Sequence, residues 1–265
     1  MKPQRHVVLA SALFVMAGAS IVSAQGAPRL PARGYLSDTG RPDGVAIVPP
    51  PPATGSPRDA ADHEVYRQTR ALRDTPRWAL ALGDIDLTPA GGASHFDCAV
   101  GAVLETPANP ALFRLLERVL ADARSVYLPV KDHYRRLRPL AGNDLPICEK
   151  RDPATVASFG YPSGHATISW AWGLVLAELE PDRAGPILRR AAAVGESRVV
   201  CGMHYPSDIE AGRMEGAAVV AAEHHSPEFL ADLQAARAEI DARRAEGRKN
   251  PICTAEADAL KTPAF

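Results

Sequence analysis

The sequence predicts an all-α fold, a single-domain helical bundle with an extended proline-rich arm at its N-terminus. Three observations carry that expectation. From residue 58 onward apolar residues recur at helical spacing, several segments open on paired capping signals, and runs alternating with a period of two are scarce.

The chain opens on Lys2, Arg5 and His6, followed by an apolar run from Val7 to Val22 that closes on Val22-Ser23-Ala24. A basic start, a short apolar stretch and small residues at its end describe a secretory leader over 1–24, removed near Ala24. Residues 25–57 carry Pro28, Pro31, Pro42 and the run Pro49-Pro50-Pro51-Pro52 before Gly55-Ser56-Pro57. Successive prolines favour polyproline II and exclude a helix interior, and the adjacent Val45, Ile47 and Val48 favour an arm packed onto the domain. The domain is expected over 58–250, with a C-terminal tail at 251–265.

Within the domain, Leu112, Leu115, Leu116, Val119 and Leu120 mark one buried helix face. His165 to Leu179 is apolar almost all round, through Ile168, Trp170, Trp172, Leu174 and Val175, and reads as a central helix. Asp182 is expected to cap a helix reaching about Glu196. Ser207 and Glu210 have capping-box spacing and open a helix through Ala222; Ser226-Pro227 opens another.

Composition narrows the function. The 265 residues hold 30 Lys+Arg against 31 Asp+Glu, a net charge of -1, and loss of the leader removes Lys2 and Arg5 but no acid. Diffuse attraction for a nucleic-acid polymer is therefore excluded as the binding principle. At 46% hydrophobic the chain has ample material for a core. After the leader no stretch reaches the roughly 18–20 apolar residues that span a bilayer, so no stable membrane insertion is expected. Cys98, Cys148, Cys201 and Cys253 lack the C-x-x-C pairs of a zinc site. In an oxidising compartment they allow up to two disulfides, with three pairings open.

Three cation-rich segments then stand out. Lys131 and Arg138, in KDHYRRLRP, lie seven apart, which on a continuous helix puts both on one face with Arg135 and leaves Arg136 off it. Pro162-Ser163-Gly164-His165 immediately precedes the central helix, where free N–H groups favour an anion and Gly164 allows it close approach. Ser197-Arg198, His204 and Asp208 place a cation, an imidazole and a carboxylate around the next helix start. Three cations, two histidines, a carboxylate and a helix N-terminus suffice for phosphoryl transfer through a covalent intermediate.

These segments resemble the signature of the type 2 phosphatidic acid phosphatase (PAP2) superfamily, K-x6-R-P, P-S-G-H and S-R-x5-H-x3-D, at every defined position and in order. The gaps suit it too, with 22 residues between Pro139 and Pro162 and 31 between His165 and Ser197. Within the superfamily the chain is similar to the bacterial class A non-specific acid phosphatases, through VPPPPATGS at 48–56, YRQTRALRDTPR at 66–77 and KDHYRRLRP at 131–139. The resemblance implies a helical bundle of the PAP2/haloperoxidase type, and a periplasmic or secreted enzyme hydrolysing small phosphomonoesters without metal or other cofactor. It implies His204 as nucleophile, Asp208 as its orienting acid and His165 as general acid and base. Lys131, Arg138, Ser163, Gly164 and Arg198 are then the phosphate-binding set. Oligomers are common in the family, and nothing in the sequence fixes their number.

Because those segments must converge on one phosphate, Cys148–Cys201 is the expected local bridge, and Cys98–Cys253 then ties back the tail. Two other readings of the site exist. A vanadium-dependent haloperoxidase uses a similar signature, and a silent phosphate-binding protein would need the cations but not the nucleophile. For substrate contacts beyond the phosphate the sequence offers only neighbours of the motifs: His133, Tyr134, Leu140, Tyr161, and the His95–Phe96 region.

Overall fold

Prolines punctuate many of the helix starts. The computed structural model describes residues 33–265 and Met1; the expected leader and the beginning of the arm lie outside the described residues. After the four-residue α1 (Gly44–Ile47), α2 (Pro57–Thr69) opens with Pro57 behind Ser56, whose hydroxyl accepts the Asp59 N–H. The same pairing of a capping oxygen with a proline opens α3 (Pro76–Gly83) at Thr75 and α4 (Pro89–Ser94) at Thr88. Proline suits this position because its missing N–H would have had no partner there. The short α5 (Asp97–Val100) leads to the long α6 (Pro110–Tyr134), and Asp152-Pro153 opens α7 (Pro153–Ala157). There follow α8 (Gly164–Leu179), α9 (Ala184–Val200), α10 (Pro206–Glu223), α11 (Pro227–Glu246) and α12 (Cys253–Ala259). Among the described residues the extended structure is limited to one isolated antiparallel bridge between Leu137 and Phe159.

Helix α8 is central, packed on α9, α10, α6 and α11. Trp172, Val175 and Leu176 are fully buried with Leu112, Leu115, Leu116 and Val119 of α6. Each such side chain contributes on the order of 1.5–3 kcal/mol. Trp172 also donates its indole N–H to the Leu116 carbonyl at 2.9 Å, so its polar atom is satisfied inside the core. Helix α10 approaches α8 through Gly212, where an added Cβ would stand 2.6 Å from the Ser163 carbonyl oxygen. That contact brings the start of α8 against α10.

Two helix starts differ from expectation. Asp182 does not cap α9; it lies in the 3-10 turn Pro181–Arg183, where its carboxylate is taken by Arg244 at 2.7 and 3.0 Å. Helix α9 instead starts at Ala184 without a side-chain cap and continues to Val200. Nor is Ser207 the cap of α10. Proline at position 206 occupies the first helical position, Tyr205 becomes the cap residue, and Asp208 accepts the Tyr205 N–H at 3.0 Å. Ser226 caps α11 as expected.

The described part of the arm lies along α6 and α10. Val48 is buried with Val130, Tyr161 and Ala211, and the Tyr161 hydroxyl donates to the Pro49 carbonyl at 2.5 Å. The cysteines form Cys98–Cys253 and Cys148–Cys201 bridges, the pairing expected above.

Candidate active site

Lys131 sits on the last turn of α6, but Arg138 does not continue its face. The helix stops at Tyr134 because Arg135 turns left-handed, at φ 50°, and the chain leaves extended to pair with Phe159. Lys131 and Arg138 therefore reach the same region from different stretches of backbone. Arg135, expected beside them, is exposed and donates to the Asp132 carbonyl, whereas Arg136, expected off the face, turns inward.

His204, Asp208 and Arg138 meet in the interior. The Arg138 guanidinium donates to the Met203 carbonyl at 3.0 Å and lies 2.8 Å from His204 Nε2. A guanidinium has no acceptor, so Nε2 must present a lone pair. The imidazole proton then belongs on Nδ1, which faces Asp208 Oδ2 at 3.2 Å. Both residues are almost completely buried. Burial, then the cations Arg138, Lys131 and Arg198, hold the His204 pKa well below the ordinary histidine value. Burial pushes the Asp208 carboxyl up, with Arg136 the largest opposing influence.

His165, half-buried in the first turn of α8, donates Nε2–H to the Ile85 carbonyl at 3.0 Å. That bond leaves Nδ1 as the nitrogen that gains or loses a proton. Burial first, then Arg198, lowers its pKa well below the usual value. Arg198, at 2% exposure, pairs with Glu149 through Nη2. Its Nε and Nη1 are buried with no partner among the described residues. Buried donors left unpaired are costly, so this unfilled side of the guanidinium is suited to an anion.

Ser163 is the N-cap of α8 and receives the Ala166 N–H at 3.4 Å, while its own N–H donates to the Asp208 carbonyl. Glycine at 164 is also required by packing: the Tyr127 ring fills the space, with Cζ 2.7 Å from where a Cβ would be. Lys131 donates to the carbonyls of Phe159, Gly160 and Pro162 at 3.1, 3.2 and 2.5 Å, clamping the loop ahead of α8. Burial, reinforced by Arg138, pushes its ammonium down to about 7.

The spacing arguments missed Arg136, Asp62, Glu149 and Tyr127. The suggested pocket neighbours mostly pack elsewhere: Leu140 and Phe96 are fully buried in hydrophobic clusters, and Tyr134 packs edge-on against the buried Tyr161. His95 lines a separate cavity of about 470 Å³ with Asp84, Arg190 and Glu256. Among the described residues no group of three or more His, Cys, Asp and Glu side chains is placed to hold a metal ion, and no helix is long and apolar enough to cross a membrane.

An all-α bundle with two histidines and three cations around one helix start defines a class, and the relatives agree. Residues 114–231 match the PAP2 superfamily. The chain is 39% identical over 203 residues to an acid phosphatase of Zymomonas mobilis subsp. mobilis, covering 76% of this chain and 77% of that protein. It is 37% identical to a non-specific acid phosphatase of Providencia stuartii, with 78% and 84% covered, and 34% identical to one of Salmonella typhi, with 73% and 78% covered. The chain belongs to the PAP2 superfamily, and it is an acid phosphatase.

Proposed function

We propose that the enzyme hydrolyses small, exposed phosphomonoesters, such as nucleotides, sugar phosphates and aryl phosphates, through a phosphohistidine on His204. The observation that carries this reading is the His204 environment: Arg138 against Nε2 and Asp208 against Nδ1 leave a lone pair on the nitrogen facing the cations. When substrate arrives, Arg138 moves its donor from Nε2 to a phosphoryl oxygen, and the unpartnered side of Arg198 takes another. Lys131 contributes its charge, and the Ser163 hydroxyl and Gly164 N–H complete the cradle at the start of α8.

His204 Nε2 then attacks phosphorus, forming the N–P bond as the P–O bond to the leaving group breaks. His165 Nδ1 gives that oxygen its proton. In the second half, a water loses a proton to His165 and attacks phosphorus, and the N–P bond returns its electron pair to His204. The reading calls on no metal, since three cations neutralise the phosphoryl charge. The two disulfides suit the oxidising periplasm or medium to which a leader at 1–24 would deliver the chain. Alcohols that compete with water for the phosphoenzyme would be phosphorylated.

The pH dependence follows from the two histidines. Lowering of the His204 pKa keeps its lone pair available below the pH at which an ordinary histidine is protonated. His165 is likewise depressed in the free site, and the negative charge of bound phosphate opposes that, raising the fraction that carries the acidic proton. Turnover is expected to peak at acidic to near-neutral pH and fall as His165 loses its proton. The test is p-nitrophenyl phosphate hydrolysis with EDTA present, alongside bromide oxidation with added vanadate. A best turnover above about pH 9 would contradict the assignment of roles.

A further inference from the structure

Only one oxygen of Asp208 faces His204. Oδ2 receives His204 Nδ1 and the Tyr205 N–H, while Oδ1 receives Arg136 Nη1 at 2.9 Å. The same Nη1 lies 2.7 Å from the Ser207 hydroxyl, and Nη2 donates to Asp62 Oδ2 at 2.8 Å. Asp62, on α2, also accepts the Ser207 N–H at 3.1 Å and its hydroxyl. The guanidinium is packed against the Tyr205 ring, 4.4 Å from its centroid. Asp62 and Asp208 are 4% and 0% exposed, so one arginine is fixed between two buried carboxylates. The hydrogen bonds of this group end on Asp208 and Ser207, and none reaches Lys131, Arg138 or Arg198.

We propose that Arg136 and Asp62 are positioning residues for phosphoryl transfer, a second link that keeps Asp208 ionised and oriented and thereby holds His204 with its proton on Nδ1. The proposal rests on His204 being the nucleophile. Its chemistry is a proton count. An Asp208 that takes a proton from solvent loses the charge that holds the imidazole proton on Nδ1, and with that proton on Oδ2 it becomes a donor toward Nδ1. The imidazole proton must then sit on Nε2, and the attacking lone pair is lost.

The charged and titratable groups around Asp208 come from several elements. His204 precedes its own helix, Lys131 faces it from α6, and Arg138 lies beyond His204. Asp62 and Asp59 of α2 face Arg136 from the other side, at 2.8 and 3.7 Å, and Glu215 of α10 faces Lys131. Among these Arg136 alone hydrogen-bonds Oδ1. Its removal leaves a buried carboxylate oxygen bare, which favours the protonated form.

The test compares Arg136→Met, Arg136→Lys and Asp62→Asn with the wild type, measuring kcat and KM for p-nitrophenyl phosphate across the acid limb. Arg136→Met is expected to lower kcat about 10- to 100-fold at acidic pH, with KM little changed. Its activity should recover as pH rises, because a more basic Asp208 ionises later, so the acid limb moves upward. Arg136→Lys should restore part of that displacement, and Asp62→Asn should show a smaller one. An acid limb at the wild-type position in Arg136→Met, or a loss confined to KM, overturns the proposal. If Arg136→Met does not fold, Asp62→Asn, which keeps the shape and removes one charge, decides by the same limb. His204→Ala runs in parallel: phosphoenzyme trapped in that variant by an acid-sparing quench would overturn the nucleophile assignment itself, independently of the Arg136 result.

Discussion

Glu215 gives a prediction whose size can be worked out. It lies on α10 at 0% exposure, with Oε2 3.3 Å from the Thr167 hydroxyl and Oε1 without a partner among the described residues. Burial pushes its carboxyl up from 4.5 to about 8, against the lowering influence of Thr167 and Lys131. Between those values the folded chain keeps a proton that the unfolded chain has lost. Proton binding therefore favours the folded state at the acidic end, and stability falls as pH rises through the window. The slope is about 1.4 kcal/mol per pH unit, so the move from pH 5 to pH 7 removes about 3 kcal/mol. Glu215→Gln is neutral at both pH values and nearly the same shape, so it should lose about that much less over the interval. In thermal melts the difference corresponds to a shift on the order of 5–10 °C. Paired unfolding curves of wild type and variant at the two pH values measure it directly. Equal pH dependence in the two proteins would refute the reasoning, since Glu215 would then be ionised in the fold or exposed to solvent.

The remaining predictions concern the proposed phosphate cradle. Gly164→Ala puts a Cβ 2.7 Å from the Tyr127 ring, and should cost about 1–3 kcal/mol and raise KM; Tyr127→Leu in the same chain should recover much of the stability, as urea unfolding would show. Glu149→Gln releases Arg198 from its partner, so inorganic phosphate should inhibit roughly two- to fivefold more tightly; an unchanged inhibition constant would remove Glu149 from the account. Arg198→Lys keeps the charge but loses the fork that presents the unpaired donors, and kcat/KM should fall about 100-fold.

The parts of the proposed site that are local in the chain were legible in the sequence. His204 and Asp208 are four residues apart across a helix start, and Ser163 and Gly164 open a run so apolar that its central burial was evident. The parts that were not legible depend on distant partners. No glycine or asparagine marks the end of α6, so nothing signalled that Arg135 would turn left-handed and send Arg136 to Asp208. Asp62 meets Ser207 from α2, 145 residues away, and has no local pattern. Asp182 has a good capping side chain, but Arg244, 62 residues on, takes it. The sequence marked Gly164 for the close approach of an anion, and gave no sign that the Tyr127 ring of the distant helix α6 packs against it.

The central claim is that His204 Nε2 carries the phosphoryl group. Rapid acid-sparing quench of a turnover reaction with labelled p-nitrophenyl phosphate, followed by peptide mapping, tests it. The account predicts label on His204 in the wild type, acid-labile and base-stable as a phosphoramidate must be, and none in His204→Ala. A His204→Ala enzyme that turns over at the wild-type rate, or label found on another residue, would contradict it.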